Sequence, residues 1–133
     1  MPADIPIAIA SDLDIVQARQ HGRALALEMG FSVGETTLIA TAISELARNI
    51  VSYAGRGTIT LRRSNTASRV NLTIIATDDG PGIADVTLAM RDGYSSSGGL
   101  GLGLPGVRRL MDEFEIASEA GRGTTVTARK WRL

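Results

Sequence analysis

Apolar positions along the chain fall into alternating and helical runs. Ile5, Ile7 and Ile9 alternate through DIPIAIA (4–10), the period of a short strand. Ser11 or Asp12 then offers a cap for a helix from about Leu13 to Met29, where Ile15, Val16, Leu25 and Leu27 mix with Arg19 and Arg23 before Gly30 stops the turn. Ile39, Ile43, Leu46 and Ile50 recur at helical spacing and predict a second helix from about Gly34 to Ala54, ended by Gly55 and Gly57. TITLRR (58–63) and VNLTIIAT (70–77) read as a hairpin across the polar turn 64–69, and DDGPG (78–82) breaks the pattern. Residues 84–91 suggest a short helix and 92–99 a Gly/Ser-rich segment. A further helix is expected from Pro105 or Gly106 to about Phe114, with last strands at 115–119 and 124–131 around the turn 120–123.

Strands in hairpins and helices in between predict one domain over 1–133. Its class is an α+β two-layer sandwich, a mostly antiparallel mixed sheet with helices packed on one face.

Composition narrows the chemistry. At 133 residues, 44% hydrophobic and 21% charged, the chain suits one globular core. Its 14 basic and 14 acidic residues cancel, which argues against a general nucleic-acid or membrane-surface binder. With no cysteine, disulfide and thiolate chemistry are excluded, and a cytoplasmic protein is expected. Lys130 is the only lysine. A Walker A loop and the strand lysine of a eukaryotic-type protein kinase are therefore both out of reach. Phosphate would have to be met by backbone amides, arginine or metal.

Four local features could carry such chemistry. Glu45 and Asn49 are one helical turn apart and project from one face, a carboxylate and a carboxamide suited to base and metal-ligand roles; alone, the pair reads as a solvated polar face. Asp78-Asp-Gly80-Pro-Gly82 ends an apolar strand, where an acid can accept from an exocyclic amine; alone, it is a turn. SSSGGLGLGLPG (95–106) places Gly99, Gly101 and Gly103 just before a helix, bare backbone of the kind that meets phosphate. Gly121-Arg-Gly123-Thr124 opens the final strand. The spacing Gly101-x-Gly103-x-x-Gly106 also matches a dinucleotide fingerprint, with Glu119 near the place of a ribose-binding acid. That reading needs a strand before the loop and a parallel βαβ unit, and neither is predicted. His21, the only histidine, has no triad partner or second ligand nearby and reads as a polar helical position.

All four features in this order and spacing resemble the GHKL ATPase superfamily of gyrases, heat-shock chaperones, histidine kinases and MutL-type repair proteins. Glu45 and Asn49 match its N box, Asp78-x-Gly80-x-Gly82 its first glycine box, Gly99-x-Gly101-x-Gly103 the second and Gly121-x-Gly123-Thr124 the last. Within it, SELARNIVSYAG, DDGPGI and RDGYSSSGGLGLGLPGVRRLMDEF are similar to the RsbT-type serine/threonine kinases of bacterial partner-switching and stressosome modules. The resemblance implies the Bergerat ATP-binding fold and a kinase using ATP and Mg²⁺. It implies Glu45 as catalytic base, Asn49 as metal ligand, and Asp78, Gly80, Gly82 and Thr124 around adenine. Gly99, Gly101 and Gly103 would give amides to the phosphates, and 92–98 would form a lid. Arg91, Arg108 and Arg109 are candidates to neutralise phosphate charge. The implied partners are STAS-domain antagonist or scaffold proteins, a PP2C-type phosphatase and, in the anti-sigma relatives, a sigma factor, all in the bacterial cytoplasm. A mainly non-catalytic interaction module is the alternative of a different class.

Overall fold

A computed structural model describes residues 4–66, 69–82, 90 and 103–133. The expected short helix at 84–91, the lid at 92–98, Arg91, Gly99 and Gly101 lie outside the described residues, apart from Met90 in the first of these.

The described elements run β1 (Ile5–Ile9), α1 (Asp12–Glu28), α2 (Val33–Tyr53), β2 (Gly57–Thr66), β3 (Arg69–Asp78), α3 (Gly103–Leu110), β4 (Glu113–Glu119) and β5 (Gly123–Trp131). The strands form one sheet in the order β1-β2-β3-β5-β4. Every described ladder is antiparallel, so the sheet is antiparallel throughout these residues rather than mixed. The core lies on one face, where Ile59 and Leu61, Leu72 and Ile74, and Val126 and Ala128 meet the buried sides of the helices. This is the α+β two-layer architecture read from the sequence.

Local chemistry sets the element ends. Ser11 caps α1, its hydroxyl accepting from the Asp14 N–H at 3.4 Å. The chain leaves α1 through a Schellman turn: the Phe31 N–H donates to Ala26 O at 3.0 Å and the Gly30 N–H to Leu27 O at 3.1 Å, with Gly30 at φ 90°. A capping box starts α2, with the Glu35 N–H on Ser32 Oγ at 3.1 Å and the Ser32 N–H on Glu35 Oε1 at 2.9 Å. The box explains why the helix begins at Val33, one residue before the expected Gly34.

Three expectations are corrected. The buried stripe of α1 is Ile15, Ala18, Gly22, Leu25 and Ala26, whereas Leu27 is half exposed. Small residues carry this seam because α2 approaches closely: a Cβ on Gly22 would fall 2.0 Å from Ile43 Cδ1. The β2–β3 hairpin extends through the polar stretch, pairing Thr66 with Arg69, because ladder hydrogen bonds and a polar outer face tolerate Ser64 and Asn65. Helix α3 starts at Gly103, earlier than Pro105, and ends at Leu110 rather than Phe114. Asp112 joins β5 instead, its N–H on Arg129 O at 2.9 Å and its carboxylate accepting from the Trp131 N–H at 2.8 Å. Phe114 thereby enters β4 facing the core. The lone lysine completes this end of α3: Lys130 Nζ donates to Leu110 O at 3.0 Å, a cation on the negative end of the helix.

Candidate nucleotide-binding site

Helix α2 is buried nearly all round, with ten buried residues from Thr36 to Ile50, because it is wedged between α1, α3 and the sheet. Such a helix tolerates a polar side chain only where a partner or an opening meets it. Glu45 is 6% exposed, and its Oε1 accepts from Arg48 Nη1 at 3.0 Å. Asn49, one turn further on, is half-buried, and no described residue hydrogen-bonds its carboxamide. Glu45, Arg48 and Asn49 share one side of α2 by helical spacing.

The second group stands at one end of the sheet. Cross-strand register puts Asp78 of β3, Thr124 of β5 and Ser118 of β4 in a row, all on the helix-bearing face. Asp78 Oδ1 accepts from the Gly80 N–H at 2.9 Å, which turns the chain into DDGPG and leaves Oδ2 to accept another donor. The Thr124 hydroxyl lies 2.8 Å from Ser118 Oγ, and Ser118 Oγ also donates to Gly123 O at 3.1 Å.

Close backbone packing joins the two groups. A Cβ on Gly80 would sit 2.6 Å from Ala54 Cβ, so the loop after Asp78 abuts the end of the helix that carries Glu45 and Asn49. Gly82, at φ 75°, and Gly123, at φ 89°, would drive a Cβ into Glu119 O and Asp78 O at 2.2 and 2.0 Å, and the Gly121 N–H reaches Pro81 O at 2.7 Å. Glycine at 80, 82 and 123 is thus required by the packing of protein on protein. A space left bare for a ring is not needed to account for these residues.

Of the second glycine box, Gly103 is described. It is buried at the start of α3 with φ 55°, and α3 packs on α2, the helix that carries Asn49. Arg108 and Arg109 are exposed in the last turn of α3, at the end away from Gly103. Their place suits the helix dipole. A cavity of about 360 Å³ opens at the same end of the sheet, lined by Asp78, Ser118 and Thr124 of this row and by Thr77, Ala117 and Thr125 of the opposite face, so it wraps the sheet end. His21 is exposed on α1. With every described ladder antiparallel, the dinucleotide reading of Gly101–Gly106 has no βαβ unit to rest on.

Sequence reasoning missed two participants. Ser118 was detectable from parity, since it follows Phe114 and Ile116 on the core-facing side of β4. Arg48 was detectable as the i+3 neighbour of Glu45.

Residues 34–133 match the family model described as histidine kinase-, DNA gyrase B- and HSP90-like ATPase. The chain belongs to this ATPase family. It is 54% identical over 125 residues, 94% of each chain, to the serine/threonine-protein kinase RsbT of Bacillus subtilis (strain 168). It is 31% identical over 120 residues to the anti-sigma F factor of Caldanaerobacter subterraneus subsp. tengcongensis, covering 86% of this chain and 82% of that one. Among solved structures, the RsbU and RsbW domains of a Mycobacterium tuberculosis protein share the fold with a TM-score of 0.66 at 20% identity. That match covers all of this chain and 33% of the other. The family and its RsbT-like branch are those read from the motifs, and the antiparallel sheet with helices on one face is its fold.

The donor set suits Mg-ATP. An uncommitted carboxamide oxygen is a hard ligand of the kind Mg²⁺ takes alongside phosphate oxygens. Asp78 Oδ2 is an acceptor suited to an exocyclic amine.

Proposed function

We propose that the protein is a Mg-ATP-dependent serine/threonine kinase that phosphorylates a STAS-domain antagonist or scaffold protein in a bacterial partner-switching pathway. The observation that carries this reading is the abutment of Gly80 on Ala54, which sets the Asp78–Thr124 row against the helix of Glu45 and Asn49. The 54% identity to a serine/threonine-protein kinase supports transfer to a protein hydroxyl over hydrolysis.

Each residue then has one task. Asp78 accepts the adenine amine, and Thr124, steadied by Ser118, completes the adenine contacts. Asn49 holds Mg²⁺, which supplies charge neutralisation at the phosphates. Gly99, Gly101 and Gly103 give backbone N–H groups to the phosphates. Glu45 takes the proton of the acceptor serine or threonine hydroxyl through Oε2 as the hydroxyl oxygen bonds to the terminal phosphorus and the bond from that phosphorus to the ADP oxygen breaks. Such catalysis is positioning plus electrostatic stabilisation, and it needs no lysine.

The test is incubation with radiolabelled ATP, Mg²⁺ and a purified STAS-domain protein from the same source organism. Label on a partner serine or threonine is expected, and Glu45→Ala and Asn49→Ala are each expected to abolish it. Absence of label, or label that survives Glu45→Ala, overturns the reading. Binding of a PP2C-type phosphatase belongs to the same proposal. A Glu45→Ala/Asn49→Ala variant that still activates the phosphatase separates that role from catalysis. The 31% identity to an anti-sigma F factor favours sigma-factor sequestration as the second reading, and a pull-down with sigma subunits decides between them.

A further inference from the structure

We propose that Arg48 is the positioning residue for Glu45, fixing which carboxylate oxygen faces the acceptor hydroxyl. The inference rests on the reading of Glu45 as the base.

Glu45 is the most deeply buried acidic side chain among the described residues, at 7% side-chain exposure, and it sits on a helix flanked by buried Ser44 and Leu46. A carboxylate so placed needs a partner, because an unpaired charge in an apolar setting is strongly disfavoured. Arg48 is the partner the structure gives it, one helical turn away at 3.0 Å.

The geometry is one-sided. Arg48 Nη1 holds Oε1, while Oε2 takes no hydrogen bond from a described residue. One oxygen is anchored and the other is left to accept the substrate proton. A general base must be held within hydrogen-bond reach of the proton it takes, and a glutamate with three free torsions would lose much of that advantage. Arg48 itself is 35% exposed. It therefore anchors Glu45 from the solvent side of the helix.

Lysine keeps the charge, methionine keeps only the stem, and alanine keeps neither, so three substitutions separate these contributions. Phosphoryl transfer from Mg-ATP to the STAS-domain partner is measured for Arg48→Ala, Arg48→Met, Arg48→Lys, Glu45→Gln and the double variant Arg48→Ala/Glu45→Gln. The expected result for Arg48→Ala and Arg48→Met is a fall in kcat of about 10- to 100-fold, with KM for ATP within about twofold, the pattern of an interaction used in the transition state. Arg48→Lys recovers most of the rate. The double variant is no slower than Glu45→Gln alone, because two residues acting through one group are non-additive.

Transfer unchanged in Glu45→Gln sinks the base assignment and this inference with it. Transfer abolished in Glu45→Gln but unchanged in all Arg48 variants overturns this inference alone. A raised KM with unaltered kcat, or a lower Tm with unaltered kcat in Arg48→Met, assigns Arg48 to binding or to structure and overturns it as well.

Discussion

Asp78 and Thr124 are direct cross-strand partners on β3 and β5, and Ser118 holds the Thr124 hydroxyl from the far side at 2.8 Å. The row is a small polar shelf at the end of an otherwise apolar face, where Ala76 and Val126 are the next residues inward. Asp78 keeps one uncommitted carboxylate oxygen, and because Ser118 donates to Gly123 O the Thr124 proton goes to Ser118 Oγ, so the row presents two fixed acceptors.

Asp78→Asn is therefore expected to weaken ATP binding at least tenfold, about 1.4 kcal/mol, because the amide presents donors where an amine must be accepted. Thr124→Val and Ser118→Ala are each expected to cost less, about 0.5–1.5 kcal/mol, the range of one neutral hydrogen bond. Titration calorimetry with ATP and Mg²⁺ checks the order. Asp78→Asn within twofold of the parent would remove this row from the adenine site.

The β4–β5 turn offers a paired stability test. Gly121 and Gly123 both have positive φ, 81° and 89°, but a Cβ on Gly121 meets nothing within 4 Å while one on Gly123 falls 2.0 Å from Asp78 O. Gly121→Ala should cost only the left-handed backbone penalty, about 1–2 kcal/mol. Gly123→Ala should cost more, because the Asp78 carbonyl must also move, and should weaken ATP binding in proportion. Urea denaturation of the two variants checks this, and equal losses would show that the contact at Gly123 relaxes freely.

Much of this architecture was legible from the chain because its signals are local. Alternation in β1 and β3 and helical spacing in α2 are each read within a few residues. The glycine-box spacing was legible too, but its physical meaning was not. Gly80, Gly82 and Gly123 are glycine because Ala54, Glu119 and Asp78 come close in space, and those approaches join residues 26 to 45 positions apart in the chain. The end of α3 was misread for the same reason. GVRRLMDEF continues a helical pattern past Leu110, and only the pairing of Asp112 with Arg129 and Trp131 on β5 turns it into a strand. The seam of α1 escaped because alanine and glycine carry little hydrophobic signal, while the more conspicuous Leu27 is half exposed.

Lys130 illustrates the same point and yields a third prediction. Its side chain is 12% exposed, and its ammonium donates to the Leu110 carbonyl at 3.0 Å and lies 3.7 Å from Asp112. Lys130→Met keeps the stem and removes the charge. The loss should be about 1–2 kcal/mol, between a neutral and a charge-assisted hydrogen bond. Amide exchange is expected to accelerate most at Met111, whose N–H donates to Val107 O at the end of α3. Uniform acceleration across the sheet would show that Lys130 supports the fold globally.

A fourth prediction concerns acid sensitivity at the start of α2. The Ser32 backbone N–H, above all, holds the Glu35 carboxyl below the usual glutamate range; burial opposes this, and the Ser32 hydroxyl, the Leu133 N–H and the Lys130 charge add to the lowering. A carboxyl whose folded-state pKa is depressed binds fewer protons folded than unfolded. Its stabilisation is therefore complete above the unfolded value, about 4.3, and is lost as pH falls through the lower folded value. Glutamine can still occupy the capping-box position, so Glu35→Gln isolates the charge. The variant should be less stable than the parent by about 0.3–1 kcal/mol at pH 7, the range for an acid in a helix first turn. That gap should begin to narrow below the unfolded value of about 4.3 and close once the pH has fallen past the lower folded value, where the parent's carboxyl is protonated in both states. Urea unfolding at a series of pH values checks this, and a gap that stays constant from pH 7 to pH 3 would show that the glutamate acts through shape and hydrogen bonding rather than charge.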